Sequence, residues 1–405
     1  MHALARRAWN SPELWRYVDA YGPRVFGLVI HTALVIRHGM QGYALPTWVL
    51  GAMGLALAVL PDPHALILVR KSPRSAKRLL ALGAPWVLFK VIAAATVCWA
   101  AVALVASREM LAPHEGRTAG VLLAATILGG VEYGWAVLGT ASLAIGNVRE
   151  VALSGLLART VALLVLGALA FEGTTVLSLD LLAASLPVLV AFALLAPFRL
   201  HPRGNLLFVW YATRRYGAWS QGISLVTAAL FQAPSLVMGA YPVSSAAGVG
   251  QVSYVSRLIG AALQPVQILQ SFVVREFVVA GGRPSRRLTT LRWLMRASAL
   301  GIGGIGLVGL IVARARELAE PGVLVVMAAV VFGVAFSCWY RFELSRVIST
   351  TRIRALVLSG YLPVSGVALL VGALLVPLAG SAGLAAALGL AWAGLALSWM
   401  WVPHD

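Results

Sequence analysis

Five basic residues, Arg24, Lys90, Arg159, Arg257 and Arg296, lie inside long apolar stretches of the sequence, and Glu132 is the clearest acid among them. Charge in so apolar a setting is costly and usually serves a function. Arginine brings a planar fork of donors suited to phosphate or carboxylate oxygens. Arg257 is the leading candidate. Its stretch covers 244–274, and thirteen residues at about 1.5 Å each place it near the middle. It must therefore meet either a cavity or a counter-charge. Gln264, Gln267 and Gln270 follow on the same stretch near helical spacing; amides suit sugar hydroxyls and also suit bonds to neighbouring helices. Arg24 stands near the start of the first stretch, where it either binds phosphate or snorkels to the helix end. His31, seven residues on, shares its face, either as a ligand group or as a packing residue. Glu132 suits a proton- or sodium-coupled step, or else a fixed ion pair with Arg159 or Lys90. Arg296, about eight residues into its stretch, reads as a snorkelling side chain.

Apolar residues make up 60% of the 405 and charged residues only 11%, against about 25% charged in an ordinary soluble domain. That composition requires a polytopic membrane protein. Stretches long enough to cross, about 17–25 residues, fall at 22–36, 43–69, 80–106, 118–146, 150–171, 178–198, 218–238, 244–274, 288–313, 321–340, 355–377 and 382–402. The first is short, and Ser11-Pro12-Glu13 reads as the start of a surface-lying amphipathic helix bearing Leu14, Trp15 and Val18 that leads into it. Of the 32 lysines and arginines, 22 fall at the N-terminus, in the even-numbered connections or at the C-terminal side of them. Five fall in the odd connections: Arg37, Arg108, Arg117, Arg314 and Arg316. By the positive-inside rule both termini face the cytoplasm and the chain crosses twelve times.

The net charge of +18 thus belongs to the ends of membrane spans and does not indicate nucleic acid, which would need a continuous basic face. Short connections leave no room for an appended catalytic domain. Cys98 and Cys338 both fall in apolar runs and make no disulfide framework. No signal peptide is read at residues 1–20. No metal-ligand spacing, glycine-rich phosphate loop or nucleophile elbow is present, so no cofactor is expected and the protein is not read as an enzyme. The glycines from Gly301 to Gly309 sit in an apolar run and read as helix-packing residues.

The chain also repeats itself. Trp15, Tyr21-Gly22 and Gly27 recur as Trp210, Tyr216-Gly217 and Gly222, at an offset of 195. Six spans return a chain to the side it left, so the repeat implies two parallel six-helix lobes, 1–200 and 201–405. Pro61-Asp62-Pro63 and Pro265 interrupt the second span of each lobe, marking either a moving element or proline that membrane helices tolerate.

The run Gly22-Pro23-Arg24-Val25-Phe26-Gly27, with Arg37-His38-Gly39-Met40-Gln41-Gly42-Tyr43 after it, resembles the opening of the oligosaccharide-lipid (Wzx-like) flippases. These form the polysaccharide-exporting branch of the multidrug/oligosaccharidyl-lipid/polysaccharide exporter superfamily. The stretch 219–258, ending Ala246-Ala247-Gly248-Val249-Gly250-Gln251-Val252-Ser253-Tyr254, is similar to the matching part of that family's second lobe. The acid usual at the first-span exit is replaced by Met40-Gln41. The resemblance implies a MATE-like, V-shaped pair of helical bundles about a central cavity. It implies alternating access for a lipid-linked oligosaccharide on an undecaprenyl-type diphosphate in a bacterial cytoplasmic membrane. Membrane lipids and a polysaccharide polymerase or glycosyltransferase machinery are the implied partners. It places Arg24 and Arg257 among the diphosphate-binding residues.

Two other classes fit the same composition. An ion-coupled drug exporter of the same superfamily should hold free acids in its cavity, whereas arginine prevails here. A polytopic membrane glycosyltransferase or polymerase should carry acids or histidines on a large outward loop. The outward connections offer Glu109, His114, Glu115, Glu172, Asp180, Glu317 and Glu320, with no pairing legible in the sequence.

Overall fold

A computed structural model describes residues 12–60, 73–106, 108–173, 175–196, 202–212, 218–240, 245–279, 286–349 and 355–402. The regular structure among them is helical throughout. In chain order the helices are α1 (Pro12–Val59), α2 (Pro73–Val105), the short α3 (Arg108–Leu111), α4 (Thr118–Ile145), α5 (Val148–Phe171) and α6 (Leu177–Leu195). Then come α7 (Pro202–Ala212), α8 (Ala218–Ala240), α9 (Ala246–Val279), α10 (Arg286–Ala315), α11 (Pro321–Ser349) and α12 (Leu362–Leu397). A π-helical turn, Leu356–Tyr361, leads into α12, and a 3-10 turn, Ser398–Trp401, ends it.

Two of these helices are hairpins. As a straight rod the 48 residues of α1 would run about 72 Å, more than twice the roughly 30 Å hydrocarbon core. Gly39 breaks it with φ 68° and ψ 172°, a conformation that glycine alone adopts without strain. The rings of His31 and Tyr43 then lie 5.8 Å apart, although twelve residues of straight helix would separate them by about 18 Å. The limbs 12–38 and 40–59 therefore fold back on one another. Gly380, at φ 55° and ψ −126°, does the same for α12. A Cβ placed on Gly394 would come within 2.8 Å of Val364, thirty residues earlier in the chain.

Eight helices among the described residues are long and apolar enough to cross a membrane. Two of the eight are the hairpins, so they supply ten crossings. α8, apolar over Leu225–Ala240, and α9, 34 residues long, raise the number to twelve. α9 carries Arg257 and the glutamines along its length. Outward-facing side chains such as Leu104, Phe171, Leu194 and Leu378 are more than four-fifths exposed, as lipid-facing residues are when the bilayer is the solvent.

The chain divides into two compact units, Met1–Gln221 and Gly222–Asp405. In the first, α1 packs with α2, α4 and α5, and α6 closes against α4 and α5. Its core gathers Leu80, Val87, Val131, Trp135, Leu138, Val151 and Val188. α5 comes so close to α4 that a Cβ on Gly155 would lie 2.5 Å from the Trp135 ring, the small-residue contact typical of membrane helix pairs. α7, not foreseen as an element, packs on α2 through Phe208 against Leu79 and Leu82. The Asn205 amide donates to the Leu82 carbonyl.

In the second unit α11 is the central helix, touching α9, α10 and α12. Phe277 of α9 meets Phe342 of α11 at 5.4 Å, and Phe231 of α8 meets Trp392 of α12 edge-on at 5.1 Å.

One expectation fails at the N-terminus. Among the described residues no separate surface-lying helix precedes the first span: the helix begun at Pro12 continues unbroken to residue 38. Trp15 is buried against Val148 and Ala152 of α5, and Arg149 stacks over its ring at 5.6 Å. The indole is covered by protein neighbours. The Pro61-Asp62-Pro63 interruption lies outside the described residues.

Candidate functional site

α9 carries Arg257 twelve residues in from its start, about 17 Å along the axis. The side chain is half-buried, and among the described residues no carboxylate pairs with it. One turn earlier on the same face, Ser253 is buried to 4% exposure and its hydroxyl has no partner. Gln251 is anchored by its amide to the Leu318 carbonyl at 3.0 Å. A charged donor group and a free hydroxyl are thus held together on one helix within the membrane. Such a charge is kept by a cavity or a counter-charge, and with no carboxylate at hand among the described residues an anionic ligand is its natural complement.

Other residues singled out by sequence are placed as follows. The side chains of Arg24, Gln264 and Gln267 lie outside the described part of the molecule, although α1 and α9 run through their positions. His31 packs edge-on against Tyr43 across the α1 hairpin. Gln270 accepts a bond from Arg341 Nε of α11 at 2.7 Å, which joins α9 to α11. Arg296 does not snorkel alone: its guanidinium lies between the rings of Trp339, at 5.1 Å, and Trp293, at 5.9 Å.

Glu132 of α4 forms an ion pair with Arg159 of α5. A single Arg159 nitrogen, NH2, reaches both carboxylate oxygens, at 3.1 and 2.9 Å. The pair is lopsided: the arginine side chain is 0% exposed and the glutamate 43%. Arg159 also lies over the Trp135 ring at 5.4 Å, and Lys90, buried to 1%, has its ammonium 4.8 Å from the Tyr133 ring. Each cation is thereby set against a negative aromatic face. The ion pair that the sequence left as one of two readings is formed.

A second polar cluster escaped sequence reading. Asp180, in the first turn of α6, is buried to 1%. It accepts from Arg37 Nε at 2.8 Å and bonds His38 Nε2 at 2.6 Å. Arg37 also donates to the Leu166 carbonyl at 3.3 Å. Arg37, an exception to the charge rule, ties the end of the first α1 limb to α5 and α6. The available signal was a lone acid opening an apolar stretch and an adjacent Arg-His at the end of another. Nothing in one sequence joins positions 143 residues apart.

Among the described residues no group of three or more His, Cys, Asp or Glu is placed to hold a metal ion. Cys98 and Cys338 are both free and buried.

Together the helices define an all-α polytopic membrane protein of about twelve spans. No protein-family model matches the sequence, and no curated protein matches it significantly. The fold itself has solved counterparts. It is similar to the lipid II flippase MurJ in its inward closed conformation, with a TM-score of 0.63 at 11% identity over 95% of this chain and 86% of that one. It is similar to the eukaryotic MATE transporter AtDTX14, with a TM-score of 0.62 at 12% identity over 96% of this chain and 92% of that one. A multidrug resistance MATE transporter of the MOP superfamily in an inward-facing conformation gives 0.54 at 12% identity, over 96% of this chain and 94% of that one. The chain therefore has the fold that a lipid flippase and multidrug exporters share.

Proposed function

We propose that the protein is a flippase that moves a lipid-linked oligosaccharide, of the undecaprenyl-diphosphate type, across a bacterial cytoplasmic membrane by alternating access. Both termini face the cytoplasm, and the lobes of the duplication, 1–200 and 201–405, are its moving halves. The similarity of fold to both a lipid flippase and drug exporters leaves the choice to charge. Glu132, Asp180 and Glu343 are each held by an arginine: Arg159, Arg37 and Arg292. Arg257 and Arg296, by contrast, meet no carboxylate among the described residues. The unneutralised charge within the spans is therefore cationic, which suits a diphosphate and disfavours a cationic drug.

The observation that carries the reading is Arg257 itself, a half-buried guanidinium on α9 that meets no carboxylate among the described residues. Its fork pairs with diphosphate oxygens, and Ser253 supplies a further hydroxyl. Gln264, Gln267, Arg24 and His31 complete the set of substrate contacts, with the amides meeting sugar hydroxyls. Transport draws on an ion or substrate gradient, and Glu132 is the acid through which an ion would couple. The protein supplies a polysaccharide polymerase or glycosyltransferase machinery with substrate on the outer leaflet.

Deleting the gene should cause one undecaprenyl-linked glycan to accumulate on the cytoplasmic leaflet, detected in extracted lipids and by protection from external label. Accumulation of none would overturn the reading. Arg257→Ala should abolish complementation at normal protein level, and Arg257→Lys, a point charge without the fork, should lose roughly tenfold in transport. Full complementation by Arg257→Ala would remove that residue from the site.

A further inference from the structure

The end of the first unit that carries Arg37 and Arg117, the outward end in the expected orientation, holds a cavity of about 220 Å³. That is far more than the roughly 30 Å³ share of one water and less than the about 300 Å³ at which drug-sized pockets begin. Its polar lining is His38, Gln41, His114, Arg117, Thr175 and Ser178.

His114 is the built feature of this cavity. Only 6% exposed, it sits in a turn that two bonds to its own carbonyl hold in place: the Arg117 N–H at 2.8 Å and the Thr118 hydroxyl at 3.0 Å. Its ring is hydrogen-bonded to the Gly42 backbone, while Nε2 has no partner. A buried polar atom left unmatched is costly, so the ring is placed for a partner that enters the cavity.

The charge of the lining is specific too. Arg37 and Asp180 cancel behind the wall, and His38 bonds the same carboxylate. Arg117 is exposed and meets no carboxylate among the described residues. α6 begins at the cavity with Leu177 and Ser178, and Val176 before them provides no side-chain cap. The Leu179 and Asp180 N–H groups go to the Val176 carbonyl, which leaves those of Leu177 and Ser178, at the positive end of the dipole, for an anion.

We infer that this cavity binds a small hydroxylated anion, its charged group meeting Arg117 and the start of α6 and a hydroxyl donating to His114 Nε2. The site lies wholly within the first unit and does not depend on what the protein transports. A sugar acid and a glycerol-phosphate headgroup share this chemistry.

Calorimetry on the purified full-length protein, with glucuronate, glycerol 1-phosphate, glucose and acetate as titrants, tests the assignment. One of the first two should bind about tenfold more tightly than glucose, which lacks the charge, and than acetate, which lacks hydroxyls. Preference for glucuronate identifies a sugar, and preference for glycerol 1-phosphate a lipid headgroup. His114→Ala should weaken binding about tenfold. Arg117→Gln, an exposed change that leaves folding intact, should abolish the advantage over glucose. Equal binding of all four titrants, binding of none, or unaltered binding in Arg117→Gln would overturn the inference.

Discussion

At the scale of single residues, the Glu132–Arg159 pair combines a fully buried cation with a carboxylate 43% exposed. Removing one partner of a buried pair costs about 3–5 kcal/mol. The exposed side of Glu132 is screened, so Glu132→Gln is expected to cost nearer to about 1–2 kcal/mol, read as a lowered unfolding temperature in detergent. Glu132→Gln combined with Arg159→Met removes the stranded cation and should restore most of that loss. Transport by the double variant then decides the role of the acid: recovery with stability marks a structural pair, and continued failure marks an ion-coupling carboxylate. His114 offers a second test at this scale. Burial pushes its pKa below the ordinary 6.5, the charge of nearby His38 pushes the same way, and the bond to Gly42 opposes them. Above 6.5 the imidazole is neutral in folded and unfolded chains alike and contributes nothing. As pH falls through 6.5, the unfolded chain takes up a proton that the folded one resists, so stability is lost. Arg117 and His38 face the same cavity, with Asp180 and Arg37 behind them, and all four are present in wild type and variant alike. The drop in unfolding temperature between about pH 7.5 and pH 5.5 should therefore be smaller for His114→Gln than for wild type. Equal drops would show that His114 is readily protonated in place.

At the scale of elements, the hairpins depend on backbone that only glycine tolerates. Gly380→Val would force a β-branched residue to φ 55°, at a cost of about 1–3 kcal/mol, and Gly394→Leu would drive a side chain into Val364. Both should lower the unfolding temperature, Gly394→Leu the more, while Gly366→Ala, where a Cβ meets open space, should leave it unchanged. Apolar length and turn residues locate most elements from sequence alone: 118–146, 150–171 and 178–198 are found as Thr118–Ile145, Val148–Phe171 and Leu177–Leu195. Periodicity could not show α7, because Pro202–Ala212 is short and owes its place to Phe208 packing on α2. Nor could it show that Trp15 is buried while Trp210, its counterpart in the repeat, is 66% exposed. Local pattern reports which residues are apolar, and tertiary neighbours decide which of them are covered. Asp180 was hidden for the same reason, since its meaning lies in Arg37 and His38 across the bundle.

At the scale of the molecule, the two hairpins fix the arithmetic of the topology. Counted as single spans, α1 and α12 would make ten crossings; folded back, they make twelve. Both counts are even and keep the termini together, so the termini alone cannot separate them. The connections can. If α1 is a hairpin, Gly39 lies at the face opposite the N-terminus, and the turn holding Gly116 and Glu115 and the one holding Gly173 lie at that same outer face. If α1 crossed only once, those two turns would face the cytoplasm. The lysines and arginines at 70–78 and 283–292 favour the first arrangement, because translocating them is the costlier choice. In a protein with Cys98 and Cys338 replaced by alanine, a cysteine at Gly116 or Gly173 should react with a membrane-impermeant maleimide added to intact cells. A cysteine at Arg74, or at Arg286 where α10 begins, should react only after permeabilisation. Labelling of Arg74→Cys in intact cells would invert the topology, and with it the assignment of the His114 cavity to the outer face.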